Sequence, residues 1–256
     1  MILIRAGSKK LIAKEVISFF PVHVSYIEPF FGSGAVFFAK RKSAYNIVND
    51  LDDSVTNFFT VIKDRKEEFI NRLLLTPISE SQLRYYKNNQ IADPIEKAIK
   101  TLFVGNFTYL SGGETLRVST SANYKEMVLN RIDKTVSKLR DVIICNKNYL
   151  EFLKSISFKH DYERERCFCY ADPPYLHTRN KYGTPVWSIK DLESLIMELK
   201  SMKIMFAISE FNSPEVIHIA KESKLIINLI RERVNLKNRR TEILLTNYNP
   251  QTNLFQ

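Results

Sequence analysis

The chain has 256 residues, 38 Lys+Arg against 28 Asp+Glu for a net charge of +10, and 45% hydrophobic residues. That describes a folded globular protein with one large domain, or a domain carrying an insertion, and excludes a disordered chain or a disulfide-stapled mini-protein. No run approaches the ~20 apolar residues of a bilayer span, and charges fall too early in MILIRAGSKK for a signal peptide, so neither secretion nor membrane insertion is expected.

Residues 22–34, VHVSYIEPFFGSG, read as a strand entering a glycine turn. AVFFAK follows as the start of a buried helix, and SAYNIV (43–48) as a second strand ending at Asn49-Asp50. This is a strand–turn–helix–strand opening with an acid after the second strand. From Ser54 to Leu139 the periodicity is mainly helical. Asp93-Pro94 starts a helix that places Ile95, Ile99, Leu102 and Phe103 on one face. Ser111-Gly112-Gly113 and the polar stretch LRVSTSANYK interrupt the pattern, and Met127–Leu139 is helical again. Strand–helix alternation then resumes, with VIIC (142–145) and RCFCYA (166–171) as strands. A helix opens at Ser188 with Asp191 three residues on, KIMFAIS (203–209) is a strand, and Pro214–Lys221 a short helix. LIINLI (225–230) and EILLTNY (242–248) form a closing antiparallel pair joined by a hairpin loop, Arg231–Arg240.

The pattern predicts an α/β sheet domain split by a mostly helical insertion. Residues 1–53 and 140–256 form the sheet domain and 54–139 the insertion. In such sheets ligands bind beyond the carboxyl ends of the strands. Pro29–Gly34, Asn49-Asp50 and Asp172–Tyr175 all fall at such ends.

Two glycines in Phe30-Phe31-Gly32-Ser33-Gly34 let a backbone approach a ligand closely. No Lys-Ser/Thr follows, so this is not a phosphate loop, and without a third glycine it is not the pyrophosphate fingerprint. Asp50 directly ends a strand, where a carboxylate can accept from both hydroxyls of a ribose. In Asp172-Pro173-Pro174-Tyr175 two prolines remove two backbone donors. The carbonyls of Asp172 and Pro173, the Asp172 carboxylate and the Tyr175 ring make an acceptor cage beside a flat platform. That suits the exocyclic amine of a planar base.

With these motifs the chain resembles the Dam-type DNA adenine-N6 methyltransferases. EPFFGSG is similar to their cofactor motif, ADPPY to their catalytic motif, RAGSKK to their opening segment and RTEILLTNY to their closing strand. The resemblance implies a Rossmann-like S-adenosylmethionine-dependent methyltransferase sheet with a target-recognition insertion. It assigns cofactor contact to Arg5, Ala6, Gly7, Ser8, Lys9, Glu28, Pro29, Phe30, Gly32, Ser33, Gly34, Asp50, Asn148, Tyr149 and Asp172. It assigns the target adenine to Asp172, Pro173, Pro174 and Tyr175. Arg5 stands where that family usually has an aromatic, Ser8 replaces a glycine, and Asn148-Tyr149 replaces a common Asp-Phe.

The function this implies is site-specific methylation of a flipped-out adenine in double-stranded DNA. The alternatives are a catalytically silent DNA-binding protein of the same fold, or the same chemistry on cytosine N4 or RNA adenine. A monomer is expected, cytoplasmic and nucleoid-associated in a prokaryotic or phage setting, with a cognate restriction endonuclease as the partner a restriction–modification system would add. DNA contacts are expected from Arg117, Ser119, Thr120, Ser121, Asn123 and Lys125, a polar loop of the insertion, and from Arg239 and Arg240 in the basic closing hairpin. His23, His160, His177 and His218 form no ligand spacing, and no metal is expected.

Overall fold

The computed structural model describes residues 2–5, 7–109, 113–116, 124–176, 178, 186–235 and 238–250, with side chains at 232–235 and 238–240 excepted. Seven strands form one sheet in the order β3-β2-β1-β4-β5-β7-β6. They are β1 (Ser25–Glu28), β2 (Tyr45–Asn49), β3 (Val142–Cys145), β4 (Cys167–Ala171), β5 (Met205–Phe211), β6 (Ile226–Asn235) and β7 (Asn238–Thr246). The first five run parallel, while β7 is antiparallel to β5 and to β6. Successive strands step outward from β1 through β2 to β3, then from β4 through β5 on the other side. The order therefore reverses between β1 and β4, and a ligand crevice is expected at that point.

Period-two alternation divides the core into two layers. From β1 and β4, Tyr26, Phe168 and Tyr170 pack on one face of the sheet. Ile27, Cys167, Cys169 and Ala171 pack on the other. The second face is covered by α8 (Tyr149–Lys154), α10 (Ile189–Ser201) and α11 (Pro214–Glu222). The first carries α1 (Ala13–Ile17), α2 (Ala35–Ala39), α3 (Asp53–Asp64), α4 (Lys66–Leu75), α5 (Glu80–Asn88), α6 (Pro94–Phe107) and α7 (Tyr124–Leu139). Phe58, Phe59 and Ile62 of α3, Leu102 and Phe103 of α6, and Val128 and Ile132 of α7 join the same apolar core as the sheet residues. The inserted helices thus share a core with the sheet. The short α9 (Asp161–Glu165) precedes β4.

Helix starts follow the local chemistry that the sequence carries. Asp93 accepts from Glu96 N at 2.8 Å with Pro94 in the first turn, and Ser188 and Asp191 form a reciprocal capping box. Gly34 caps α2 with φ +67°, and a Cβ there would stand 2.6 Å from the Phe38 ring, so this turn requires glycine.

Two long-range devices set up the site. Asn106 of α6, fully buried, accepts from Ile4 N and donates to Ile2 O, both at 3.1 Å. This fastens the N-terminal segment so that Arg5, Gly7, Ser8 and Lys9 reach the crevice. Asn49, at the end of β2, donates to Pro29 O at 3.1 Å and Lys147 O at 3.0 Å and accepts from Lys147 N at 2.9 Å. One side chain thereby ties together the exits of β1, β2 and β3.

The expected hairpin loop at Arg231–Arg240 is not a loop. β6 and β7 stay paired as far as Asn235 opposite Asn238, while β5 stops at Phe211 opposite Glu242. Residues 238–241 therefore continue with β6 as a two-stranded ribbon past the carboxyl edge, by about 13 Å at ~3.3 Å per residue. The apolar pattern ends at Ile230, but backbone pairing needs no apolar side chains, so the polar stretch remains strand. Lys125 lies in the first turn of α7 and not in a loop; its ammonium donates to the carbonyls of Leu74 and Thr76 at the end of α4.

Candidate active site

A cavity of about 630 Å³ opens along the carboxyl edge. Arg5, Gly7, Ser8, Lys9, Glu28, Pro29, Phe30, Gly32, Ser33, Asp50, Asn148, Tyr149 and Asp172–Tyr175 all line it. The structure thus brings the predicted segments to one place. Gly34 lies behind the rim as the cap of α2. Ala6, Arg117, Ser119, Thr120, Ser121, Asn123 and His177 lie outside the described residues, as do the side chains of Arg239 and Arg240.

The half of the cavity nearest β2 is a polar turn braced by acids. Asp50 accepts from Gly32 N at 2.6 Å and Asp52 N at 2.9 Å, so its carboxylate holds the glycine turn as well as facing the cavity. Burial pushes its carboxyl up, against the pull of those two hydrogen bonds. Gly7 and Gly32 both have positive φ, with open space where a Cβ would stand. Ser8 and Ser33 hydroxyls meet at 2.9 Å, joining the opening segment to the turn. Arg5 pairs with Asp52 at 2.8 Å. Burial alone would raise the Asp52 carboxyl, but the guanidinium and the Ser54 hydrogen bonds hold it below the usual range.

Next to this turn is an aromatic wall. Phe30, Tyr149 and Trp187 lie with ring centroids 5.2–5.5 Å apart. Asn148 caps α8 by accepting from Leu150 N at 3.0 Å, which sets the entry of Tyr149. Trp187 was absent from the predicted site. Its signal was available: it is the chain's only tryptophan and directly precedes the Ser188 cap. Its buried Nε1 has no hydrogen-bond partner among the described residues.

The other half is built on charge. Lys9, 4% exposed, places its ammonium 2.8 Å from Asp172 Oδ1 and 2.9 Å from Glu242 Oε1. The same nitrogen stands 4.3 Å over the Tyr175 ring. Tyr175 donates to Glu242 Oε1 at 2.7 Å and meets Phe211 edge-on at 4.5 Å. The ring is covered here: Tyr175 is 8% exposed, with a cation over it. Burial pushes the Asp172 carboxyl up, opposed by Lys9. The carbonyls of Asp172 and Pro173 take no backbone hydrogen bond among the described residues.

Glu210 and Glu242 were not anticipated. Both lie in strands that read as apolar, and neither is exposed at all. Glu210 accepts from Leu176 N at 2.7 Å and Phe211 N at 2.6 Å, pinning the backbone just after Tyr175. Burial pushes its carboxyl up to about 7. Glu28, which accepts from the Tyr26 hydroxyl at 2.8 Å, is pushed up to about 8 by burial.

The model of the D12 class N6 adenine-specific DNA methyltransferases matches residues 6–242. The chain belongs to that family, and it is a DNA adenine methyltransferase. It is 25% identical over 254 residues to the type II methyltransferase M1.LlaDCHI of Lactococcus lactis subsp. cremoris, covering 87% of this chain and 86% of that protein. To the DNA adenine methylase of Escherichia coli K12 it is 26% identical over 110 residues, or 41% of this chain and 39% of that one. A SAM dependent methyltransferase structure from Agrobacterium tumefaciens aligns over 93% of this chain and 60% of its own with 9% identity and a TM-score of 0.37. The fold assignment rests on the strand order itself.

The raised acids make stability depend on pH. Between the ordinary carboxylate range and about 7 for Glu210 or about 8 for Glu28, the folded protein holds protons that the unfolded chain has released. This contribution is full in acid and is lost as pH rises through that window. Burial lowers His23, which works in the opposite direction within the same window, so the Glu28 contribution is read as a difference: in urea unfolding from pH 5 to 8, Glu28→Gln is expected to gain stability relative to the parent as pH rises. A variant whose stability runs parallel to the parent's across this range contradicts the assignment.

Proposed function

We propose that the protein transfers a methyl group from S-adenosylmethionine to the N6 amine of an adenine flipped out of double-stranded DNA, at a specific site. The observation that carries the reading is one cavity bounded on one side by a glycine turn and aromatic wall and on the other by the Asp172 acceptor cage. S-adenosylmethionine, when bound, supplies an electrophilic methyl group.

The residues present fit such a ligand. Backbone at Gly7 and Gly32 leaves room that any side chain would fill. Asp50 offers its carboxylate to the ribose, and the Phe30–Tyr149–Trp187 wall offers faces for the purine. At the other end, the Asp172 carboxylate and the carbonyls of Asp172 and Pro173 accept the two N–H bonds of the target amine. That amine is a poor nucleophile because its lone pair is delocalised into the ring. Acceptors on both N–H bonds favour pyramidalisation and aim the lone pair into the cavity. Asp172 acts as acceptor and orienter, since the proton on the methylated nitrogen is acidic enough to leave to water. The rate comes from positioning and from charges fixed in a dry site. An adenine inside a duplex cannot reach this cavity, so flipping is part of the reading.

Residues 54–139 are proposed to read the DNA sequence, and the β6–β7 ribbon to grip its backbone. Arg233, Arg239 and Arg240 lie on that ribbon beyond the catalytic edge, with Arg231 at its base. Neutralising Arg239 and Arg240 is expected to weaken binding to all DNA sequences alike. It should also flatten the log–log salt dependence by about one to two units. Unchanged affinity and slope contradict the ribbon's role; altered discrimination between sites assigns it base reading instead.

The catalytic half of the reading is tested with Asp172→Ala. Methyl transfer to DNA should fall by at least about a hundredfold, the scale of lost electrostatic positioning, while the fold and S-adenosylmethionine binding by calorimetry persist. A folded variant with near-parental single-turnover rates overturns it.

A further inference from the structure

Glu242 lies on β7, far in sequence from both Lys9 and the Asp172–Tyr175 segment, and its carboxylate is completely buried. A charge is kept in such a place only against a cation and hydrogen-bond donors. One oxygen, Oε1, receives both: the Lys9 ammonium at 2.9 Å and the Tyr175 hydroxyl at 2.7 Å. The ammonium simultaneously touches Asp172 at 2.8 Å. The cross-strand neighbour of Glu242, Arg231, has its guanidinium 3.7 Å from Glu15. Of the other acids nearby, Glu210 is engaged by backbone N–H groups and Glu28 by Tyr26.

We propose that Glu242 is a positioning residue for methyl transfer: it shares Lys9 with Asp172, so that the Asp172 carboxylate can turn to the target amine without leaving a buried ammonium unpaired. The proposal rests on the reading above, in which Asp172 accepts from that amine. The physical argument concerns one cation and two anions. If Lys9 had Asp172 alone, an incoming neutral amine would have to displace a charge-assisted hydrogen bond, roughly twice as strong as the neutral one replacing it. The ammonium has three donors, and with Glu242 beside it, it keeps a charged partner throughout the exchange. The ammonium also covers the Tyr175 ring at 4.3 Å, and the Tyr175 hydroxyl is held by the same Glu242 oxygen. A shift of Lys9 toward Glu242 therefore uncovers Asp172 and the ring together, while the ring keeps its orientation.

The test is a double-mutant cycle read by single-turnover methylation at saturating S-adenosylmethionine and DNA, using wild type, Glu242→Gln, Lys9→Met and the double variant. Gln preserves size and the acceptor for Tyr175, removing only the charge. The expected result is a fall of about tenfold or more in rate for Glu242→Gln, with the KM for S-adenosylmethionine changed by less than about twofold. In the Lys9→Met background the same substitution should change the rate by less than about twofold, because nothing remains to be shared. A purely structural Glu242 gives equal fractional losses in both backgrounds, and that result overturns the proposal. So does a loss confined to KM, or a Lys9→Met protein without turnover, which would make the ammonium necessary in its own right. If Glu242→Gln does not fold, Glu242→Asp replaces it. Asp keeps the charge, so its rate should exceed that of folded Glu242→Ala, and the reverse order is contradictory. A wild-type protein that methylates no adenine fails the underlying reading; the cycle fails the proposal alone, in an active wild type.

Discussion

The Lys9 ammonium joins three parts of the chain that are remote in sequence: the opening segment, the exit of β4 at Asp172 and the middle of β7 at Glu242. It is nearly excluded from water, as is Glu242, while Asp172 is partly exposed toward the cavity, so the buried charges are tolerable only because they are paired. This contact converts the general shape of an open α/β sheet into a defined cage at Asp172–Tyr175. It also explains why the opening segment must be pinned from a distance. Asn106 does so from the helical layer, by pairing with the backbone at Ile2 and Ile4.

The sheet supplies the geometry that the charges exploit. The reversal of strand order between β1 and β4 leaves their carboxyl ends diverging, and the cavity opens there. Asn49 and Asp50 shape one bank of that cavity by bonding the turns after β1 and β3. Glu210 and Glu242 shape the other, from the two strands beyond β4. The two banks differ in character: hydrogen-bonded backbone and aromatic rings on one side, paired charge on the other. A ligand with a ribose and purine and a reacting amine would meet each where its chemistry is matched.

Much of this was legible in the sequence because it is local. Strand runs ending in Glu28, Asn49 and Ala171, the Asp93 and Ser188 caps, and the helical period of 54–139 depend on neighbours a few residues away. The clustering of the three strand-end segments followed from topology alone. What was not legible depends on registry. Glu210 and Glu242 look like polar interruptions of apolar strands until pairing places Glu242 opposite Phe211, beside Tyr175. The role of Lys9 could not be separated from ligand contact without knowing that two carboxylates surround it. The paired ribbon beyond Arg231 was hidden because backbone hydrogen bonds leave no mark in the pattern of polar side chains.

The central claim is that the amine methylated is N6 of adenine and that the donor is S-adenosylmethionine. Its most direct test is nucleoside mass spectrometry of duplex DNA after incubation with the protein and methyl-labelled S-adenosylmethionine. The account predicts label in N6-methyladenine alone. Label in N4-methylcytosine, or DNA left unlabelled by a folded protein, would contradict it.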